Sequence, residues 1–221
     1  MKRIIALTLA CLMLLALTAC GTEKAETTAA PETTAVPETT AAPTEAKKLS
    51  AQEVLDALKA QLGDSYACTA AEEEAQFAGY YGLDMSKIES WASEHHAVTA
   101  ANMDTAIVIQ TKDNYAQEAA AALQAGFDQK AGYAQMYNMD LARIGEARLY
   151  VEGNYVALLL VGQRPDEEAS QEEQAKFAAE EGKKVDAAWA SVFGEEPDNF
   201  IVIPEAGGQG GGMRPGVRPR A

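Results

Sequence analysis

Two adjacent histidines, His95 and His96, preceded by Glu94, are the residues whose types best suit metal binding or proton transfer, and the chain has no others. On a strand, successive side chains point to opposite faces, so the pair cannot converge on one ion. No second cluster carries ligand spacing. The runs Glu72-Glu-Glu74 and Glu167-Glu168 lack the alternating aspartates and glycine of a calcium loop and read as a solvated acidic face. No nucleophile elbow, phosphate loop or Ser-His-Asp candidate occurs. Asp104 with Asp84, or Glu152 with Tyr155, could meet in space as acid and base. No metal and no cofactor is therefore expected. The tyrosines are more suggestive. Tyr80, Tyr81, Tyr133, Tyr137, Tyr150 and Tyr155 fall around expected helix ends and a hairpin, where amphipathic rings could line a partner groove. Tyr133, Tyr137, Tyr150 and Tyr155 form the candidate partner surface, against the alternative that they edge the core.

The start of the chain carries a stronger signal. Lys2 and Arg3 precede an apolar run of fourteen residues, Ile4–Leu17. A spanning helix needs about twenty, so the run suits a signal-peptide core. It ends in Leu17-Thr18-Ala19-Cys20, which resembles the lipobox of bacterial lipoproteins. That resemblance implies cleavage before Cys20, diacylglycerol with its two acyl chains on the thiol, and a further acyl group, such as palmitate, on the new amine. Two chains anchor stably where one is marginal. Cys11 then leaves with residues 1–19, Cys20 carries lipid, and Cys68 remains alone. No intramolecular disulfide is open to such a chain, and Cys68, with no Cys-His signature around it, reads as a small buried hydrophobe.

Residues 20–48 continue as a linker in which Pro31, Pro37 and Pro43 recur every six residues within near-copies of Pro-Glu-Thr-Thr-Ala. Such composition cannot form a core and is expected to stay disordered. Its reach is on the order of 30 Å as a coil and about 90 Å fully extended. At the other end, residues 206–221 are glycine-rich and carry Arg214, Arg218 and Arg220, reading as a disordered tail. Residues 49–205 are left for one fold. Within them ten Lys or Arg oppose twenty-eight Asp or Glu, a net charge of −18. Such a surface repels nucleic acid and anionic lipid, which excludes duplex-binding functions. The 48% hydrophobic content overstates the core, because 44 of those residues are alanine.

Helix-start signals punctuate this body. Ser50-Ala-Gln-Glu53, Ser86-Lys-Ile-Glu89 and Ser170-Gln-Glu-Glu173 fit the capping box. They predict a first helix ending near Gly63, a short helix carrying Ile88 and Trp91, and a last one over about Ser170–Phe193 with Phe177, Val185, Trp189 and Phe193 inward. Spacings of three and four predict a long helix over about Tyr115–Tyr137, burying Ala119, Leu123, Phe127, Ala131 and Ala134. His95–Ala100 and Thr105–Thr111 read as one hairpin, Ala147–Glu152 and Tyr155–Gly162 as a second turning at Gly153-Asn154. Asn199–Ile203 would add a fifth strand at an edge. The order α-α-β-β-α-β-β-α predicts an α+β two-layer sandwich with an antiparallel sheet packed by helices.

Four stretches then carry a family resemblance: Tyr81-Gly-Leu-Asp-Met-Ser-Lys-Ile-Glu89, Asp104-Thr-Ala-Ile-Val-Ile-Gln-Thr-Lys112, the long alanine-rich helix, and Leu149-Tyr-Val-Glu-Gly-Asn-Tyr-Val-Ala-Leu-Leu-Leu-Val161. Over about residues 50–163 the chain resembles a lipoprotein family of Gram-positive anaerobes called domain of unknown function 4358. The resemblance implies fold and location and brings no activity with it. The expectation for function is a membrane-anchored extracytoplasmic lipoprotein, a non-catalytic binding or accessory module at the cell surface. Its partners would be the membrane, through lipid on Cys20, and an unidentified protein or cell-wall ligand. The alternative is an extracytoplasmic hydrolase whose site is assembled from residues distant in sequence.

Overall fold

The computed structural model describes residues 48–98 and 102–205. The expected signal segment, Cys20, the expected linker through 47, residues 99–101 and the tail 206–221 lie outside the described residues. The chain divides into two units, Met1–Glu45 and Ala46–Ala221, and everything below belongs to the second.

The first helix, α1 (Ala51–Leu62), starts at the capping box read from sequence: Ser50 Oγ accepts the Glu53 amide, and the Glu53 carboxylate accepts the Ser50 amide. Its stripe Val54, Leu55, Leu58 and Leu62 is buried. A two-residue strand, β1 (Ala70–Ala71), precedes α2 (Glu74–Tyr81), which stops where Gly82 takes a left-handed φ of 67°. Of the acidic run Glu72-Glu-Glu74, only Glu74 enters this helix.

The helix expected after Ser86 is a single 3-10 turn, Met85–Lys87, followed at once by strand β2 (Ile88–His95). The strand expected at His95–Ala100 is thus one that ends at His95. A register irregularity between Ile88 and Ser90 gives the strand a helix-like spacing. One extra residue shifts the strand's alternation, so Ile88 and Trp91, three apart, fall on the same face and imitate helical spacing. The Ser86 hydroxyl meanwhile donates to Asp84 at 2.6 Å, and no cap forms with Glu89.

Strand β3 (Thr105–Thr111) is buried at every residue. Helices α3 (Ala116–Tyr137) and α4 (Leu141–Ile144) follow, then β4 (Arg148–Glu152), β5 (Tyr155–Leu160) and α5 (Gln171–Phe193). The fold is α+β with a five-stranded antiparallel sheet in the order β1-β2-β3-β5-β4. The β4–β5 hairpin turns at Gly153-Asn154, with Gly153 at φ 57°.

Alternate residues of β3 feed two cores. Ile107 and Ile109 meet Phe77 of α2 and Leu123 and Phe127 of α3. Ala106 and Val108 share the other core with Leu55 and Leu58 of α1 and Trp189 of α5. Phe177 departs from its expected inward position and is exposed, while Phe193 is half-buried and stacks on Trp189 at 4.4 Å.

The fifth strand is β1, and Asn199–Ile203 is not a strand. That segment runs beside β4 on one backbone bond, Phe200 amide to Leu149 carbonyl at 2.8 Å. The Asn199 side chain replaces the rest of the ladder, accepting the Leu149 amide at 2.9 Å and donating to the Ala147 carbonyl at 3.1 Å. Gln124 of α3 holds the next stretch by accepting the Val202 amide and donating to its carbonyl.

Candidate binding cleft

At the start of β3 a carboxylate and a guanidinium are buried together. Asp104 is 1% exposed and Arg143 of α4 is 4% exposed, and the Arg143 Nη2 donates to Asp104 Oδ1. Burial pushes the Asp104 carboxyl above the ordinary carboxylate range, and the adjacent guanidinium offsets only part of that. Arg143 Nη1 also donates to Asp140 Oδ2 at 3.3 Å, and Arg164, from the β5–α5 connection, reaches Asp140 Oδ1 at 3.2 Å. Asp104 Oδ2 and Arg143 Nε are buried without a partner among the described residues.

Two residues in the α3–α4 connection hold a left-handed backbone without being glycine: Asn138 at φ 51° and Asp140 at φ 53°. Asn and Asp tolerate that region better than other side chains, and such outliers concentrate at functional sites. Asn138 caps α3, its backbone amide donating to the carbonyls of Ala134 and Gln135. Asp140 turns the chain into α4 with its carboxylate aimed at both arginines.

These residues wall a cleft of about 640 Å³ between the α3–α4 connection, the segment after β5 and the first turns of α5. The volume falls within the range of small-molecule sites, about 300–1,000 Å³. Asn138, Asp140, Arg143 and Arg164 meet Glu167, Gln171 and Gln174 across it, over an apolar floor that includes Met139, Leu141 and Pro165. A second cleft, of about 550 Å³, lies at the far end of β3 between Ser50, Glu89, Gln110 and Lys112 and has no buried ion pair in its wall.

The four tyrosines of the expected partner surface do not share a face. Tyr150 is 0% exposed and donates its hydroxyl to Asp186 at 2.5 Å; Tyr155 is 8% exposed and donates to the Leu49 carbonyl at 2.5 Å. Both belong to the core between the sheet, α1 and α5, so they are corrected to core residues. The cause is hairpin register, because residues facing inward on β4 and β5 carry their rings into the layer beneath. Tyr133 and Tyr137 are exposed, with ring centroids 4.5 Å apart on the last turns of α3, immediately before Asn138. Cys20 lies outside the described residues.

Of the remaining candidates, Asp104 pairs with Arg143 and not with Asp84, whose carboxylate caps Ser86. Cys68 is buried, and burial raises its thiol pKa, as befits a core hydrophobe. Among the described residues no group of three or more His, Cys, Asp or Glu could hold a metal ion. Asp140, Arg143 and Arg164 escaped the sequence reading. The available signal was Asp140 and Arg143 three apart, an acid and a base spaced for a helix start, after an Asn138 that tolerates the left-handed region.

Residues 61–161 match the model of a family described as Domain of unknown function (DUF4358), so the resemblance read from the sequence is shown over that span. No curated protein and no solved structure matches the chain. The matched span holds Asp104, Asp140 and Arg143 and ends before Arg164 and α5, so half of the cleft lies outside it.

Proposed function

We propose that the chain is a lipoprotein, anchored by diacylglycerol on Cys20 at the outer face of the cytoplasmic membrane, whose domain binds a ligand without transforming it. The observation that carries the binding part is the cleft between α3, α4 and α5, held in shape by the buried Asp104–Arg143–Asp140 chain. Preorganised polar groups over an apolar floor are what orientation of a small ligand requires. The exposed pair Tyr133 and Tyr137 would extend the contact surface beyond the cleft. No described helix is long and apolar enough to cross a membrane, and a lipid anchor needs none.

The hydrolase alternative has one observation in its favour. Lys130 donates to Thr105 Oγ1, and burial lowers the lysine pKa, the arrangement of an amine poised to activate a hydroxyl. Thr105 is only 2% exposed and its hydroxyl donates to the Met103 carbonyl at 3.2 Å, so a substrate has no approach to it. The binding reading is favoured for that reason.

Two measurements test the proposal. Membrane fractionation of the wild type and Cys20→Ala should leave only the former in the pellet, and equal retention would dismiss this cysteine as the anchor. Photo-crosslinking on intact cells from a probe at Gln171 should capture a ligand, while turnover of a peptide, glycan or phosphoester that is lost in Lys130→Ala would move the protein to the hydrolase class.

A further inference from the structure

We infer that the cleft takes a saccharide: an uncharged, polyhydroxylated chain bound through planar amides and a carboxylate. The inference rests on the binding reading above and adds the ligand class.

Charge is the first argument. The guanidinium of Arg143 is matched by Asp104 and Asp140, and that of Arg164 by Asp140. Glu167 makes no ion pair or hydrogen bond with its side chain among the described residues. An anionic ligand would therefore meet arginines already neutralised and a carboxylate that repels it. Arg143 and Arg164 together balance Asp104 and Asp140, so the one charge left over is the exposed Glu167 carboxylate, which a sugar hydroxyl meets as a donor.

The second argument is the kind of polar group left over. The side-chain amides of Asn138 and Gln171 have no partner among the described residues, and Gln174 spends its Nε2 on the carbonyls of Asp166, Glu167 and Ala169 while its Oε1 stays open. Amides and carboxylates are flat and place donors and acceptors a fixed distance apart. Each sugar hydroxyl donates one hydrogen bond and accepts up to two, so neighbouring hydroxyls on a ring satisfy such groups in pairs. The third argument is the apolar floor. Leu141 is 43% exposed and shares the cleft wall with Met139 and Pro165, offering contact to the C–H face of a ring. A chain leaving the cleft at Asn138 would next meet Tyr137 and Tyr133, whose aromatic faces suit the same C–H surfaces.

The test uses the full chain in detergent micelles, labelled with nitrogen-15, and follows the backbone amides of Asn138, Leu141, Gln171 and Gln174. Three tetrasaccharides (chitotetraose, cellotetraose and mannotetraose), trilysine and citrate are titrated separately. At least one tetrasaccharide should move these amides saturably. Asn138→Gly, which keeps the left-handed backbone, and Gln171→Ala should each weaken that binding about 2- to 10-fold, the cost of one hydrogen bond. If trilysine or citrate moves the cleft amides and no saccharide does, the saccharide class is wrong and the cleft survives as a binding site. If no probe moves them, whether or not a saccharide shifts amides elsewhere, both the class and the cleft are wrong.

Discussion

Arg143→Met should unfold the domain more readily than any other single change at the cleft, and the loss should depend on pH. Methionine keeps much of the arginine stem's packing and removes the charge. Asp104, 1% exposed, is then left in the interior without its guanidinium partner, with the Asn102 side chain and the buried Lys130 as its remaining polar neighbours. Breaking a buried ion pair by removing one partner costs about 3–5 kcal/mol. For a domain of this size that is a fall in melting temperature of about 6–20 °C. Burial already raises the Asp104 pKa. A carboxyl whose pKa rises on folding favours the fold below its ordinary value, and that contribution disappears as pH climbs from the ordinary value to the raised one. Removing Arg143 pushes the folded value higher still. The deficit of the variant against wild type should therefore be largest at pH 7.5 and shrink at pH 5, measured by urea unfolding at both. Pairing it with Asp104→Leu should cost less than the single change, because an apolar pair replaces an ion pair without orphaning a charge. A deficit below about 1 kcal/mol, or one equal at both pH values, would refute the idea that this pair is desolvated.

Leu159→Asp buries a charge at a position 1% exposed and should abolish cooperative folding, since such a charge costs several kcal/mol or more; a soluble variant with an unchanged melting point would contradict the interior placement of β5. Cys68 should react with a thiol reagent only as fast as the domain opens, because burial raises its pKa, and prompt labelling of the native protein would show it to be surface-accessible. Gly126→Ala should cost about 1–3 kcal/mol, because its Cβ would run into the Tyr81 ring; thermal unfolding checks this, with Tyr81→Leu expected to relieve it.

Local chemistry made much of the architecture legible. The capping boxes at Ser50 and Ser170 set the starts of α1 and α5 within a residue, because a cap depends on groups three positions apart. The inner stripe of α3 and the unbroken apolar run of β5 likewise follow from helical period and from burial on two faces. At β2 the same reasoning erred, because a bulge gave a strand the spacing of a helix turn, and bulges arise from pairing with a neighbour. The fifth strand was misplaced for a related reason. Ala70–Ala71 carries no propensity signal of its own and becomes a strand only where β2 offers an edge, whereas Asn199–Ile203 has the right composition but meets a side-chain amide in place of a ladder. The cleft was the least visible feature. Asp104 and Arg143 stand 39 positions apart, Arg164 and Gln171 further on, and no local pattern records that folding will bury the first two and gather the rest. The tyrosines divide for the same reason: residue type announced amphipathic rings, but only the packing of α1 and α5 on the hairpin put Tyr150 and Tyr155 inside and left Tyr133 and Tyr137 in water.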